Sequence, residues 1–290
     1  MEPTYLQIVL LGLIQGAAEL LPVSSSAHVI VAEKLLGLDP AHPAMTFLLV
    51  MLHTGTMFAV ITYFWNSWRS NYFASIGRFG TVLANALVAS FFTGVLYLGL
   101  KKGIEKVFLG GSHDKAEIES LFSNLPLIAA ALVAAGLLII VAGLRSRREY
   151  RGGTDVGLGS AAWIGIVQGF CLPFRGFSRS GATISAGTLA GVDKRRAEEF
   201  SFALAVILTP AAIAQELHRF LKANAALPEP ESLGRLVAPG LVGMVCAFAA
   251  GLLALRWLSR WLEHGRWHWF GIYCLAFAAV VLALALKGGY

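Results

Sequence analysis

Six long apolar runs constrain the fold of this chain more than any other feature. They lie at 43–64, 79–100, 121–144, 199–221, 235–256 and 268–287. A helix needs about 20 mostly apolar residues to cross the ~30 Å hydrocarbon core of a bilayer. Only 14% of the 290 residues are charged, whereas a soluble domain carries about 25%. The sequence therefore predicts an all-α polytopic membrane protein with six transmembrane helices, and it excludes an ordinary soluble enzyme and a disordered protein.

Two further apolar regions, at 4–37 and 158–192, are each interrupted near the middle by Pro, Gly and Ser residues at 21–26 and 173–181. Pro lacks a backbone donor, and Gly and Ser favour turns, so neither cluster continues a helix. Irregular backbone at membrane depth is tolerated only where protein or a water-filled cavity surrounds it. We therefore expect two re-entrant helix-turn-helix hairpins. An alternative is that residues 4–22 form a seventh span, since about 19 helical residues reach ~28 Å.

The two interrupted regions also resemble each other. The pair Gln15-Gly16 recurs 153 residues later as Gln168-Gly169, and three spans follow each region. This order predicts a duplicated unit within one membrane domain at 1–290, with a first repeat at 1–144 and a second at 158–290. Three spans are an odd number, so the second unit would enter the membrane from the opposite side. In such an inverted repeat, broken helices meet near the bilayer midplane and form the site there.

Basic residues indicate the orientation, because cytoplasmic loops carry an excess of Lys and Arg. One side of the six-span arrangement holds twelve of them, namely Arg69, Arg78, Arg145, Arg147, Arg148, Arg151, Lys194, Arg195, Arg196, Arg256, Arg260 and Arg266. The other holds nine, namely Lys34, Lys101, Lys102, Lys106, Lys115, Arg219, Lys222, Arg235 and Lys287. We expect the first side to be cytoplasmic and both termini to face outward. The positive charges form short clusters between spans, so we do not expect a nucleic acid partner.

The first hairpin carries a pair of polar side chains with the spacing of one helix face. Gln15 and Glu19 are four residues apart, so both point to one side of a helix. Polar groups inside apolar segments are costly and are functional candidates by default. Oxygen ligands of this kind suit Mg²⁺ or Ca²⁺. The alternative is structural: a helix-helix hydrogen bond from Gln15 and a neutral buried Glu19.

Three serines, Ser24, Ser25 and Ser26, directly precede a helical run that contains His28. One of them could serve only to cap that helix. A helix N-terminus with free amides and hydroxyls is also a ready anion site, and a serine beside a base is a familiar nucleophile. His28 lies three residues after Ser25, which keeps the nucleophile hypothesis open.

The second hairpin carries the matching cationic segment. Small residues there let backbone amides approach an anion, and the planar fork of Arg179 matches phosphate oxygens. The alternative is a buried ion pair between Arg179 and Glu19, and both interpretations can hold together. The candidate anion-binding residues of this hairpin are Arg175, Ser178, Arg179, Ser180 and Thr183.

Other polar and aromatic residues are interpreted structurally. His53, inside the span 43–64, is expected to make an interhelical hydrogen bond. The tryptophans around the last two spans are expected to form an interfacial aromatic belt. They are Trp257, Trp261, Trp267 and Trp269.

At these hairpins the chain resembles the undecaprenyl-diphosphate phosphatase family, the bacitracin-resistance membrane phosphatases. The segment QGAAE at 15–19, followed by PVSSSAH at 22–28, is similar to the family's (E/Q)xxxE and PVSSxxH motifs. The segment GFSRSGAT at 176–183 is similar to its PGxSRSxxT motif. The family's Pro before the Gly is Arg175 here, which adds a candidate phosphate contact. Gln15 stands where the family often has Glu.

The resemblance implies an enzyme that hydrolyses undecaprenyl diphosphate to undecaprenyl phosphate and inorganic phosphate. This reaction recycles the lipid carrier of cell-wall peptidoglycan synthesis, with consequences for cell shape and bacitracin resistance. The site would face the outer, periplasmic side of the bacterial plasma membrane. The partners implied are a polyprenyl diphosphate lipid and membrane lipids, and a homodimer stays open.

The resemblance also assigns roles to residues. Ser25 is the candidate nucleophile, His28 its base or proton donor, and Arg179 the group that stabilises charge on the phosphoryl group. Glu19 with Gln15 would hold a divalent cation, Mg²⁺ or Ca²⁺, or position water. The remaining phosphate-binding candidates are Ser24, Ser26, Arg175, Ser178, Ser180 and Thr183.

Two other functions compete with hydrolysis. Inverted repeats with broken helices are typical of secondary carriers, so a transporter or flippase of polyprenyl phosphate is the main alternative. A catalytically inactive relative that only binds the lipid is the other. Arg175 in place of Pro is its only hint in the sequence.

Overall fold

The computed structural model describes residues 3–39, 42–108, 124–148, 153–225 and 232–286. Within these residues the chain is helical, and its one isolated β-bridge joins Thr154 and Val192. The helices are α1 (Tyr5–Leu20), α2 (Ser25–Leu35), α3 (Pro43–Asn71), α4 (Ile76–Phe108), α5 (Leu125–Arg148), α6 (Leu158–Cys171), α7 (Arg179–Leu189), α8 (Lys194–Ala225), α9 (Leu233–Glu263) and α10 (His268–Leu286).

Six helices in the described residues are long and apolar enough to cross a membrane: α3, α4, α5, α8, α9 and α10. They coincide with the six apolar runs, so the prediction of an all-α polytopic membrane protein with six spans is confirmed. Several extend beyond the apolar run that predicts them. The helix α3, for example, has 29 residues, which corresponds to about 44 Å at ~1.5 Å per residue. It therefore continues through a polar end, 66–71, beyond the hydrocarbon thickness.

The other four helices are short and form two hairpins, α1 with α2 and α6 with α7. Their lengths are 16, 11, 14 and 11 residues. Even α1 reaches only about 24 Å, less than the ~30 Å hydrocarbon core. These lengths are consistent with re-entrant hairpins and do not favour residues 4–22 as a seventh span.

Local chemistry sets the bounds of α1. Thr4 caps its N-terminus, and its hydroxyl and the side chain of Gln7 form a reciprocal capping box. At the other end Leu21 is extended, with φ −75° and ψ 150°, because the residue before a proline is pushed out of the helical region. Pro22 therefore ends α1 at Leu20, one residue after Glu19, and places that carboxylate in the last turn.

Glycines let each hairpin approach a long helix closely, with the same spacing in both halves of the chain. The first hairpin packs through α1 against α9, and the second hairpin packs through α6 against α4. The contacts pair Gly12 with Gly243, Gly16 with Ala247, Gly165 with Ala89 and Gly169 with Thr93. The offset is again 153 residues for the glycines. This correspondence is what a duplicated unit would give, and the division at 1–144 and 158–290 stays a prediction.

The aromatic belt and the basic residues differ in part from the sequence expectations. Trp267 is wrongly assigned to an interfacial belt, because it is 2% exposed and its indole N–H donates to Ser185. Trp257 and Trp269 are exposed, as a belt requires. Of the basic residues that indicate orientation, Lys115, Arg151 and Lys287 lie outside the described residues.

A substitution in the α6–α4 contact tests this packing. A methyl group at Gly165 would overlap with the carbonyl oxygen of Ala89, and overpacking of this kind costs about 1–3 kcal/mol. We expect Gly165→Ala to lower the midpoint of thermal unfolding in detergent. The control is Gly94→Ala in α4, where nothing lies within 4 Å and where alanine's higher helix propensity should raise stability. Equal midpoints for the two variants would contradict this packing.

Candidate active site

The turns of the two hairpins meet. The hydroxyl of Ser180, in the first turn of α7, donates to the carbonyl of Leu21 at 3.3 Å. The backbone N–H of Gly176 donates to the hydroxyl of Ser26, also at 3.3 Å. These bonds join residues about 150 positions apart, so each hairpin supplies one wall of the same site.

An ion pair lies at the centre of this meeting point. Arg179 is the first residue of α7, and its Nη2 donates to Oε1 of Glu19 at 3.2 Å. Both side chains are largely buried, with 20% and 19% exposed. A charge held away from water needs an opposite partner. The structure therefore contains the ion pair that the sequence offered as a structural role for these two residues.

Three further polar side chains lie close to the second carboxylate oxygen of Glu19. Its Oε2 accepts from the hydroxyl of Ser25 at 2.5 Å and from the amide of Gln15 at 3.3 Å. His53 lies 4.0 Å from the same oxygen and 3.4 Å from the Gln15 amide. Glu19 thus joins α1, α2, α3 and α7 through side chains, and it is placed to accept a proton from Ser25.

One donor nitrogen of Arg179 is not used in the ion pair. Its Nη1 is buried and has no hydrogen-bond partner among the described residues, although buried polar groups are almost always paired. A guanidinium that uses one nitrogen on Glu19 and presents another without a partner suits an anionic ligand with several oxygens. This observation supports the anion-binding interpretation beside the ion pair.

The N-terminus of α2 has an unusual backbone. Ser24 occupies the capping position with φ 69° and makes no side-chain capping bond. It is the only residue other than glycine with positive φ in the described part of the chain. Its hydroxyl instead contacts Ser26 at 3.3 Å. The expectation of a simple serine cap is therefore wrong for Ser24, and strain of this kind is typical of functional sites.

The hydroxyls of the second motif are largely used within the fold. Ser178 caps α7 by accepting from the N–H of Gly181 at 3.2 Å. Thr183 is fully buried and shares a 2.5 Å hydrogen bond with Ser201 of α8. Ser180 is bound to the first hairpin, as described above. These side chains position Arg179, and their contact with phosphate stays a prediction.

Arg175 lies at the tip of the second hairpin with an exposed side chain. The following Gly176 has φ 100°, so the turn forms without the family's proline. Burial raises the pKa of Glu33 in α2 to about 7, and the charge of Arg175 opposes this rise. The tip therefore presents a cation beside the first hairpin, which suits an incoming anion.

His28 is held by other groups than Ser25. Its Nδ1 lies 2.8 Å from the carbonyl oxygen of Ser24, and its Nε2 lies 2.8 Å from the hydroxyl of Tyr273 in α10. Among the hydrogen bonds of the described residues, Ser25 is bound to Glu19 and not to His28. Burial lowers the pKa of His28, although the bond to Ser24 opposes this effect. A lowered pKa favours the neutral form of the ring.

Two site residues were not anticipated as such. The sequence favours a structural role for His53, although an ionisable residue inside a span is itself a functional signal. Nothing in the sequence indicates Tyr273, which is one of several aromatic residues in the last span. Both reach the site only through tertiary packing.

The described residues of the site offer few oxygen donors for a metal cation. In the described part of the chain, no three His, Cys, Asp or Glu side chains lie close enough to hold a metal ion. Of the described residues, Glu19 alone brings a carboxylate into contact with Ser25 and Arg179, and Gln15 adds one amide. Mg²⁺ is often bound by one or two carboxylates together with substrate phosphates. Among the described residues, these donors therefore fit a cation that also binds the oxygens of an anionic ligand.

Comparisons with known proteins identify the family. The sequence matches the family described as "Bacitracin resistance protein BacA" over residues 8–280. It is 59% identical over 282 residues to Undecaprenyl-diphosphatase 2 of Acinetobacter baylyi, covering 97% of this chain and 98% of that protein. It is 34% identical over 308 residues to Undecaprenyl-diphosphatase of Desulfosudis oleivorans, covering 99% and 100%. A third relative, Undecaprenyl-diphosphatase of Rhodopirellula baltica, is 30% identical over 284 residues, covering 97% and 98%.

The match extends over nearly the whole chain and includes both hairpins that form the ion-paired site. This multi-pass membrane protein therefore belongs to the BacA family of bacitracin resistance proteins.

Proposed function

We propose that this chain hydrolyses undecaprenyl diphosphate to undecaprenyl phosphate and inorganic phosphate. The observation that carries the proposal is the cluster of Ser25, Glu19 and Arg179 where the two hairpins meet. It combines a hydroxyl nucleophile, a carboxylate in contact with that hydroxyl, and a guanidinium with an unpaired nitrogen. Full-length relatives named undecaprenyl-diphosphatase support the same reaction.

The substrate suits a site of this kind in a membrane protein. A long isoprenoid tail would lie in lipid or between helices while its diphosphate reaches the polar hairpin turns. The exposed Arg175 and the unpaired Nη1 of Arg179 would attract the diphosphate. We propose that the site opens to the outer face of the bacterial plasma membrane and that both termini lie on that side. The reaction would return the lipid carrier to cell-wall synthesis.

The contacts support a two-step phosphoryl transfer. In the first step Glu19 takes the proton from Ser25, whose oxygen attacks the terminal phosphorus. The bond from that phosphorus to the bridging oxygen breaks, and undecaprenyl phosphate leaves with the electron pair. Arg179 stabilises charge on the transferring group, which is the largest contribution that proteins make to such reactions.

In the second step water attacks the phosphorus of the phosphoserine, the bond from that phosphorus to the Ser25 oxygen breaks, and inorganic phosphate is released. His28 takes a proton from this water, and Glu19 returns its proton to the oxygen of Ser25. The lowered pKa of His28 favours its neutral form, and the ring lies one turn from Ser25 on α2, so it can act as this base. Ser24, Ser26, Ser178, Ser180 and Thr183 would supply further hydroxyl or amide donors to the phosphate.

Gln15 and Glu19 would hold a divalent cation together with the diphosphate. When bound, Mg²⁺ or Ca²⁺ would neutralise part of the negative charge on the substrate. The single carboxylate of the cluster supports a cation that enters with the diphosphate.

The first experiment separates hydrolysis from transport. Purified protein in detergent is given a C15 or C55 prenyl diphosphate, with Mg²⁺, with Ca²⁺ or with chelator. We expect phosphate release with a cation and a loss of at least about 100-fold with chelator, because the diphosphate charge is then unscreened. A pure carrier releases no phosphate, since detergent leaves no two sides to connect. No release by folded protein would contradict the proposed function, and release that is unaffected by chelator would contradict the cation.

The second experiment tests the nucleophile. Rapid acid quenching with substrate labelled at the terminal phosphate should trap a phosphoserine at Ser25. Ser25→Ala should lose this label and at least about 99% of turnover, because no hydroxyl is left to attack. The control is Ser70→Ala, which removes an exposed hydroxyl that donates to the carbonyl of Ser67. Substantial turnover by Ser25→Ala would show direct attack by water.

A further inference from the structure

His28 has both ring nitrogens occupied, and the partners define its tautomer. The carbonyl oxygen of Ser24 can only accept, so the neutral ring carries its proton on Nδ1. The lone pair on Nε2 is therefore the acceptor for the hydroxyl of Tyr273, at 2.8 Å. His28, the proposed base, thus directs its only available lone pair at α10.

Aromatic rings of α10 also fix the plane of the imidazole. Phe277 stacks on His28 with ring centroids 3.9 Å apart and an interplanar angle of 8°. The ring of Tyr273 is nearly parallel to His28 as well, at 10°. Tyr273 and Phe277 are four residues apart, so they lie on one face of α10. This face acts as a wall that leaves the imidazole little freedom to turn.

The hydroxyl of Tyr273 is not enclosed by the protein. Tyr273 is 45% exposed and its hydrogen bond to His28 is exposed too, so the hydroxyl can bind a second group while it donates to His28. A hydroxyl carries one donor and two acceptor positions. It can therefore donate to Nε2 and accept from a water at the same time.

We propose that Tyr273 relays a proton to His28 and fixes the tautomer that receives it. This inference rests on the proposed function, because it requires His28 to act as the base. As water attacks the phosphoserine, a proton of that water passes to the tyrosine oxygen and the hydroxyl proton passes to Nε2. Tyr273 ends unchanged and His28 ends protonated, so the charge and the protons balance.

The test compares two tyrosines that each donate a single hydrogen bond. Tyr273→Phe removes the hydroxyl and keeps the ring against His28 and Phe277. Its control is Tyr63→Phe in α3, whose hydroxyl donates to Ser259 at 2.9 Å, away from His28. A lost hydrogen bond in the transition state corresponds to about tenfold in rate. We expect Tyr273→Phe to lower kcat by about tenfold with little change in KM, and Tyr63→Phe to leave both unchanged. Unchanged turnover of Tyr273→Phe would overturn the relay.

A double substitution shows whether Tyr273 acts through His28. In a His28→Ala background, adding Tyr273→Phe should cause no further loss of the residual turnover. A further tenfold loss in that background would mean that Tyr273 acts elsewhere, and it would overturn the inference.

A measurement on the resting protein separates this inference from the proposed function. In ¹⁵N NMR spectra of the histidine side chains, the His28 signals are assigned by their absence in His28→Ala. We expect a protonated Nδ1 and an Nε2 signal that shifts in Tyr273→Phe but not in Tyr63→Phe. Unchanged Nε2 signals would overturn the contact. If the protein released no phosphate but the signal shifted, the contact would stand and the proposed function would fail.

Discussion

The contact between Glu19 and Arg179 is the interaction on which the rest of the site depends. It joins the last turn of α1 in one hairpin to the first turn of α7 in the other, 160 residues away in sequence. A largely buried charge is stable only beside an opposite charge. Removing one partner of such a pair lowers the stability of the protein by about 3–5 kcal/mol. The same pair brings Ser25 to the carboxylate and leaves a guanidinium nitrogen free for an anion. The ion pair therefore serves both the packing of the hairpins and the proposed chemistry. For this reason the sequence could not distinguish a structural role of Glu19 and Arg179 from a functional one.

Close packing of the hairpins against long helices makes this contact possible. Gly16, the residue after Gln15, lies against Ala247 of α9. Gly169, the residue after Gln168, lies against Thr93 of α4. Small residues let helix backbones approach in a membrane, where no hydrophobic force drives association. Each hairpin is thereby held by the opposite half of the chain, and the two turns meet between them. The positive φ of Ser24 shows that the surrounding structure also holds strained backbone at this point.

The sequence predicts the six spans, both interrupted regions and the principal ionisable residues, because hydropathy and the cost of burying charge are local signals. Glu19 and Arg179 stand out for that reason. Contacts that depend on tertiary packing could not be predicted. Tyr273 reaches His28 from 245 residues away, and Trp267 donates to Ser185 inside the protein instead of lying at the interface. The pairing of Ser25 with Glu19, in place of His28, likewise depends on how α1 turns into α2.

The central claim is that the paired charges of Glu19 and Arg179 form the catalytic site of a phosphatase. The most direct measurement is phosphate release from undecaprenyl diphosphate in detergent by Glu19→Gln and by Arg179→Gln. The first keeps the side-chain shape, the second shortens the side chain, and both remove the charge. The control is Arg256→Gln in α9, which removes an exposed charge. The account predicts that both site variants fall at least about 100-fold in turnover while remaining folded, and that the control matches the unmodified protein. Folded Glu19→Gln or Arg179→Gln that releases phosphate at the unmodified rate would contradict it.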